Sequence, residues 1–171
     1  EIAAVISSKA GAYALERAKK AGIPATVVTR QACNADQQRF EEAIVQKLCL
    51  YDIDFIILAG LMAILSKNFT DKYPQRILNI HPSLIPAFCG EGFYGLRVHR
   101  AALEKGVKVT GATVHYVNEI PDGGEILLQK AVEVLPGDTP EILQKRVMEQ
   151  AEWLLLPKAA ELVAAKLCNE G

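Results

Sequence analysis

The chain reads Asn79-Ile80-His81-Pro82-Ser83-Leu84-Ile85-Pro86 directly after a short apolar run. Successive side chains of a strand point to opposite faces, so Asn79 and His81 are predicted on one face and Ile80 on the other. Pro82 has no amide hydrogen to donate and is predicted to end the strand. An amide N–H donor beside an imidazole is the arrangement that stabilises a tetrahedral oxyanion. We therefore interpret this strand end as the centre of a catalytic site.

Strand and helix patterns alternate along the chain before this stretch. Apolar runs predict strands at 2–6, 24–28, 54–59 and 77–79. The third of these runs is continuous and is expected to be buried on both faces of a parallel sheet. Asn34, with Gln37 three residues later, predicts the N-cap of a helix whose inward face carries Phe40, Ile44 and Leu48. Ser66 predicts the cap of a shorter helix that runs to about Tyr73. The alternation predicts an α/β fold with an open, mostly parallel twisted sheet and flanking helices, whose ligands bind beyond the carboxyl ends of the strands.

The second half of the chain predicts a different arrangement. Residues 87–95 contain three glycines among aromatic side chains and are expected to form a surface loop that moves or walls a pocket. Strands at 109–117 and 126–134 are expected to add an antiparallel C-terminal pair to the sheet. Thr139-Pro140 predicts the start of a last long helix, with an irregularity expected at Pro157.

Composition restricts the class of protein. The chain has 171 residues, half of them apolar, which is enough for one compact domain with a core. Its net charge is −1 without a basic run, so binding to nucleic acid is not expected. No apolar stretch has the length of a membrane span, and no signal-peptide pattern is seen. The four cysteines include no Cys-x-x-Cys pair, so neither disulfides nor a metal site is expected, and a reducing cytoplasm is the expected location.

Four segments together carry a resemblance to a known family: 58–66, 79–86, 111–117 and 122–124. They closely resemble the phosphoribosylglycinamide formyltransferases (glycinamide ribonucleotide transformylases), folate-dependent enzymes of purine synthesis. The resemblance implies transfer of a formyl group from 10-formyltetrahydrofolate to the amine of glycinamide ribonucleotide. It implies that Asn79 and protonated His81 hold the oxyanion, and that Asp122 stabilises the imidazolium and passes protons through water.

The same resemblance implies the residues that bind the two substrates. The pterin is expected to lie against backbone at 62–65 and 117–122, with apolar walls from Leu61, Ile64 and Leu65. The implied folate-binding residues are Met62, Ala63, Ile64, Leu65, Asn79, Val117, Asn118, Glu119, Ile120, Pro121 and Asp122. The implied ribonucleotide-binding residues are Ile80, Pro82 and Glu152. No metal is implied, and a monomer or weak homodimer is expected.

The chain also departs from the family pattern. Ala63 and Gln37 stand where family members often carry Arg, which is expected to weaken contact with the folate. The loop Phe88–Leu96 is longer than in the best-known members and is expected to reshape the folate entrance. Family members begin with a further strand and a phosphate-binding loop. We expect residues 1–171 to form one formyltransferase domain that lacks both and is therefore unstable or inactive as it stands.

Two alternative functions remain open from the sequence. One is a 10-formyltetrahydrofolate hydrolase, in which water takes the formyl group in place of an amine. The other is a non-catalytic folate-binding remnant. The remaining histidines show no metal-ligand spacing. We expect His99 to lie near a helix start and His115 to lie on a strand that lines the pocket.

Overall fold

The computed structural model describes residues 1–170 and contains two compact units, which meet in the sequence between Asp54 and Phe55. In the first unit, strands β1 (Val5–Ser7) and β2 (Ala25–Val27) pair in parallel. Helix α1 (Tyr13–Lys20) connects them, and helix α2 (Gln37–Leu48) follows β2. This strand–helix–strand order is the one that the apolar runs predict.

Helix α2 begins later than its N-cap prediction. Its N-cap is Asp36, whose carboxylate accepts a hydrogen bond from the Arg39 N–H, so the prediction of Asn34 is wrong. Asn34 has a φ of +55° and belongs to the turn before the helix, because a left-handed residue cannot provide the extended backbone of an N-cap. The inward face of α2 is confirmed, with Phe40 fully buried and Leu48 nearly so.

The second unit contains a four-stranded sheet in the order β3-β4-β5-β6. The strands are β3 (Ile56–Leu58), β4 (Ile77–His81), β5 (Val109–Tyr116) and β6 (Ile126–Glu133). The helices are α3 (Lys67–Thr70), α4 (Leu96–Lys105), α5 (Pro140–Val147) and α6 (Trp153–Glu170). Strands β3 and β4 are parallel, whereas β5 and β6 are antiparallel additions. The predicted α/β class and the antiparallel C-terminal pair are confirmed.

The core of the second unit joins the sheet to the C-terminal helices. The strands contribute Leu78, Ala112, Val114 and Val132. The helices contribute a row of apolar residues four positions apart, which are Leu143, Val147, Ala151, Leu155, Ala159 and Val163. A spacing of four drifts around an α-helix of 3.6 residues per turn. A π-helical turn at Met148–Glu152, between α5 and α6, accommodates an extra residue and keeps the row against the sheet.

Three boundaries differ from the sequence prediction. Strand β3 is shorter than predicted and is not buried on both faces, since Ile57 is 41% exposed. Ser66 caps α3 as predicted, but the helix ends at Thr70. The expected helix irregularity exists, yet it lies at the π-helical turn and not at Pro157, which is inside α6. None of the helices in the described part of the chain is long and apolar enough to cross a membrane.

Candidate active site

The end of strand β4 brings three polar side chains of the second unit together. Asn79 and His81 lie two residues apart on β4, as predicted, and Pro82 follows the last strand residue. Antiparallel pairing with β5 places His115 directly opposite Asn79. The loop that follows β5 then returns Asp122 to the same strand end, 3.4 Å from His81 (Oδ2 to Nδ1). The structure therefore brings the predicted trio into one cluster.

Asp122 occupies a tight turn that depends on the two glycines that follow it. Its φ is +54°, which asparagine and aspartate tolerate better than most residues. A Cβ on Gly124 would lie 1.8 Å from the Tyr116 carbonyl oxygen, so this position requires glycine. A Cβ on Gly123 would lie 2.5 Å from the Ile120 side chain. The two glycines are thus needed to fold the loop tightly enough to deliver the carboxylate.

The Asp122 carboxylate remains ionised although it is mostly buried. Burial alone raises the pKa of this group, but several favourable interactions outweigh it and hold the pKa below the ordinary value. Those interactions are the contact with the His115 imidazole, a hydrogen bond from the Gly90 N–H, and the positive charge that the His81 ring can carry. The Gly90 nitrogen lies 2.8 Å from Oδ2, and His115 Nε2 lies 3.5 Å from Oδ1.

The glycine-rich loop after Pro86 forms one wall of this cluster. The Phe88 carbonyl oxygen accepts a hydrogen bond from His81 Nε2 at 2.9 Å, and Gly90 donates to Asp122. A φ of +86° at Gly90 turns its N–H toward the carboxylate. Of the two roles expected for this loop, wall and mobile segment, the structure supports the first.

His115 belongs to the cluster, and its contacts there go beyond the expectation that it lies on a strand lining the pocket. Its side chain is 2% exposed, and its Nδ1 lies 2.8 Å from the Tyr116 carbonyl oxygen. Its Nε2 lies 3.1 Å from Asn79 Nδ2. The sequence signal that could have found it is a single imidazole within the strand pattern that leads to Asp122.

A second polar network holds the turn that follows His81. The Thr113 hydroxyl donates to the Ser83 carbonyl at 2.7 Å and accepts from the Ile85 N–H at 3.1 Å. Gln129 donates to the same hydroxyl and to the Ile85 carbonyl, both at 3.0 Å. The buried Ser83 hydroxyl donates to the Ala87 carbonyl. These residues, which the sequence analysis missed, fix the chain between His81 and the Phe88 carbonyl.

The residues predicted to bind folate lie on two irregular segments of the second unit. Met62 and Ile64 are 53% and 52% exposed and Ile120 is 59% exposed, which gives apolar surface that a flat ring system could contact. Leu65 is only 4% exposed, so its side chain packs inward and cannot form a wall. Asn118 accepts a hydrogen bond from the Ile120 N–H at 3.0 Å and shapes the second segment.

A cleft of about 260 Å³ opens beside the second of these segments. Its lining includes Val117, Asn118 and Glu119 but none of the three predicted catalytic residues. It therefore does not contain the cluster at the strand end.

The residues predicted to bind the ribonucleotide are spread over two elements. Ile80 packs against the core, and Pro82 is half-buried beside His81. Glu152 closes the π-helical turn, where burial raises its pKa to about 7. Glu152 thus lies on a different element from the cluster at the end of β4.

His99 on α4 is the remaining buried imidazole. It is fully buried, and neither ring nitrogen has a hydrogen-bond partner. Burial, followed by the positive charge of His81, lowers its pKa to about 4. Within residues 1–170, no group of three or more His, Cys, Asp or Glu side chains could hold a metal ion. The four cysteines are free thiols.

Comparison with known proteins adds independent observations. Residues 1–159 match the family model described as formyl transferase. The chain is 38% identical over 170 residues to a chloroplastic phosphoribosylglycinamide formyltransferase of Arabidopsis thaliana, covering 99% of the chain and 56% of that relative. It is 43% identical over 157 residues to the Haemophilus influenzae phosphoribosylglycinamide formyltransferase, covering 92% of the chain and 71% of the relative. A crystal structure of glycinamide ribonucleotide transformylase 1 from Symbiobacterium toebii matches 92% of this chain and 71% of its own, with 44% identity and a TM-score of 0.84.

Proposed function

The chain belongs to the formyl transferase family, and from that membership we propose that it transfers a formyl group from 10-formyltetrahydrofolate to the amine of glycinamide ribonucleotide in purine synthesis. The observation that carries the proposal is the contact between His81 and Asp122, at 3.4 Å, beside Asn79 at the end of β4. The names of the relatives describe the same reaction in those proteins. The chain spans little more than half of the Arabidopsis relative, so the activity is proposed for the whole protein.

The proposed reaction begins when the amine attacks the formyl carbon. A C–N bond forms, the formyl oxygen becomes an oxyanion, and the amine becomes cationic. The Asn79 amide and the charged His81 ring donate to the oxyanion. The Nδ1···Oδ2 contact of 3.4 Å between His81 and Asp122 exceeds the usual hydrogen-bond range, so the Nδ1–H can be shared with a developing oxyanion.

Collapse of the intermediate completes the transfer. The bond between the formyl carbon and the folate N10 breaks, and that nitrogen receives a proton as the new amide nitrogen loses one. We assign Asp122 the task of passing this proton through water, since its lowered pKa keeps it ionised and able to accept. Removal of any one member of the trio would leave the oxyanion or the proton transfer without support.

We assign the folate to the surface formed by Met62, Ile64 and Ile120, together with backbone of residues 62–65 and 117–122. The exposed apolar side chains support this assignment, because a flat ring system would remove part of this apolar surface from water. Ala63 and Leu65 take part through their backbone only. We assign Ile80, Pro82 and Glu152 to the ribonucleotide, as the family resemblance implies.

The proposal is tested by incubating the purified protein with 10-formyltetrahydrofolate in the presence and absence of glycinamide ribonucleotide. We expect tetrahydrofolate to appear only when the ribonucleotide is present, in an amount equal to the formylated ribonucleotide. Release of formate without the ribonucleotide would identify a hydrolase. Binding of a folate analogue without turnover would identify a non-catalytic folate-binding protein.

A further inference from the structure

The side chain of His115 is fixed by its position on β5. The ring is 2% exposed, and its Nδ1 lies 2.8 Å from the Tyr116 carbonyl oxygen. A carbonyl oxygen only accepts hydrogen bonds, so Nδ1 carries a hydrogen. In a neutral ring this leaves Nε2 with a lone pair, and Nε2 is therefore an acceptor.

Two groups compete for that acceptor nitrogen. Asn79 Nδ2 lies 3.1 Å away, within hydrogen-bond range, whereas Asp122 Oδ1 lies 3.5 Å away, beyond it. The amide N–H requires a lone pair on Nε2, and the carboxylate requires a proton there. The shorter contact is the one that a neutral ring makes.

We propose, on the basis of the proposed formyl transfer, that His115 is the positioning residue that sets the orientation of the Asn79 carboxamide. The neutral ring with hydrogen on Nδ1 binds one N–H of Asn79 and thereby fixes the plane of the amide. The second N–H of the same amide is the donor that remains for an oxyanion. A proton on Nε2 would turn the Asn79 oxygen toward the ring and move both N–H groups.

The strand register makes this arrangement specific to one residue. Asn79 and His115 are direct partners in the antiparallel ladder of β4 and β5, so their side chains lie on the same face. His81, two residues further along β4, pairs with Thr113 and makes its own contacts with Phe88 and Asp122. The contact between His115 and Asn79 therefore does not depend on His81.

The tautomer can be measured without any assay of activity. We expect ¹⁵N spectra of histidine-labelled protein at neutral pH to show a protonated Nδ1 and an unprotonated Nε2 for His115. The signals are assigned by their loss in His115→Gln. A protonated Nε2 in the resting protein would overturn the proposal, and this holds whether or not the protein transfers formyl groups.

Kinetics of two substitutions then test the positioning role. The amide oxygen of Gln can replace Nε2 as an acceptor, whereas Phe fills the space without one. We expect His115→Phe to lower kcat by about 10-fold to 100-fold with little change in KM, and His115→Gln to retain most of the activity. Equal losses in the two variants would contradict the proposal. Thermal melting of both variants checks that they are folded. If His115→Phe does not fold, loss of most activity in a folded His115→Gln variant, or a protonated Nε2 in the wild type, would contradict the proposal.

A double-mutant comparison separates positioning from a structural role. We expect His115→Phe to cost little further kcat when Asn79 is already alanine, because the residue through which His115 acts is gone. The same fold loss in the Asn79→Ala background as in the wild type would overturn the inference. If the wild-type protein shows no ribonucleotide-dependent transfer, the proposed function fails, and the tautomer result still tests the contact with Asn79.

Discussion

Asp122 is the residue on which two imidazoles and a backbone N–H converge. Its oxygens lie 3.4 Å from His81 Nδ1, 3.5 Å from His115 Nε2 and 2.8 Å from the Gly90 nitrogen. The Gly90 N–H donates a hydrogen bond to it, and this donor and the two imidazoles together hold the pKa of Asp122 below its ordinary value against the effect of burial. The carboxylate is consequently the electrostatic centre of the cluster, and the proposed reaction depends on it.

Substitution of the trio tests this dependence. We expect Asn79→Ala, His81→Ala and Asp122→Ala each to lower kcat by about 10²-fold to 10³-fold, because each removes a group that supports the oxyanion or its proton transfer. The measurement is steady-state turnover, with circular dichroism to check folding. Asn68→Ala on α3 is a matched control, since Asn68 is exposed. Near-wild-type turnover in any variant of the trio would remove that residue from the mechanism.

His99 offers a prediction about stability and pH. Its pKa of about 4 in the folded state is below the ordinary 6.5, so the unfolded chain binds more protons between these values. The contribution of His99 to folding stability should therefore fall by roughly 2–3 kcal/mol as the pH drops from about 6.5 to 4, whereas Glu152, whose pKa is raised to about 7, contributes in the opposite direction. We expect His99→Leu to remove this loss, because leucine fills a similar volume and does not titrate.

Urea unfolding at pH 8 and pH 4.5 measures the effect. The free energy of unfolding of His99→Leu, minus that of wild type, should be more positive at pH 4.5 than at pH 8. Lys105→Gln, at an exposed position on the same helix, is the control and should not show this pH dependence. An equal difference at both pH values would mean that His99 does not titrate in this window.

The positions of Asn79 and His81 followed from strand alternation and from the proline after them, and the structure agrees. Asp122 followed only from resemblance, because an aspartate before two glycines is typical of an ordinary turn. His115 was not predicted as a partner of Asn79. Its pairing depends on the register of β4 with β5, strands joined by a long connection, and local sequence does not determine that register.

Among the elements, the C-terminal segment was correctly predicted as a helix, but the position of its irregularity was not. Thr139-Pro140 predicts the start of a long helix, and α5 and α6 confirm it. Proline is the familiar cause of helix distortion, so the irregularity was expected at Pro157. The structure places it at Met148–Glu152 instead, because a row spaced by four stays on one face only if the helix widens.

The loop between β5 and β6 is the element on which the site depends most closely. Gly124 packs against the Tyr116 carbonyl oxygen, the same atom that accepts from His115 Nδ1. A Cβ at 1.8 Å from that oxygen must displace it. We expect Gly124→Ala to destabilise the fold by about 1–3 kcal/mol and also to lower kcat, because the shift reaches His115 and Asp122.

Gly111→Ala on β5 is the matched control for this change. Its Cβ would lie 2.1 Å from the Lys130 carbonyl oxygen, in the ladder with β6, and 2.8 Å from the end of the Leu84 side chain, which can rotate away, so a comparable loss of stability is expected. Chemical denaturation measures the stability of both variants, and turnover is compared below their unfolding transitions. If Gly124→Ala and Gly111→Ala lose kcat equally, the loop has no special connection to the site.

In the molecule as a whole, the two units have very different amounts of buried structure. The first unit holds a two-stranded sheet of three-residue strands, with Ala18, Val28, Phe40 and Leu48 as its buried apolar side chains. The second unit holds a four-stranded sheet covered by the row of helical residues from Leu143 to Val163. A two-stranded sheet is only marginally stable without further packing. The proposed catalytic trio lies entirely in the unit with the larger core.

Native-state hydrogen exchange tests this difference. We expect amides of β1 and β2 to exchange at least about a hundredfold faster than those of β4 and β5, because local opening requires less buried surface to be exposed. The experiment uses the whole chain at neutral pH, with exchange followed residue by residue. Indistinguishable protection in the two sheets would mean that both units open in a single cooperative step. In that case a substitution anywhere in the first unit would change exchange at Asn79 and His81 as much as one in the second.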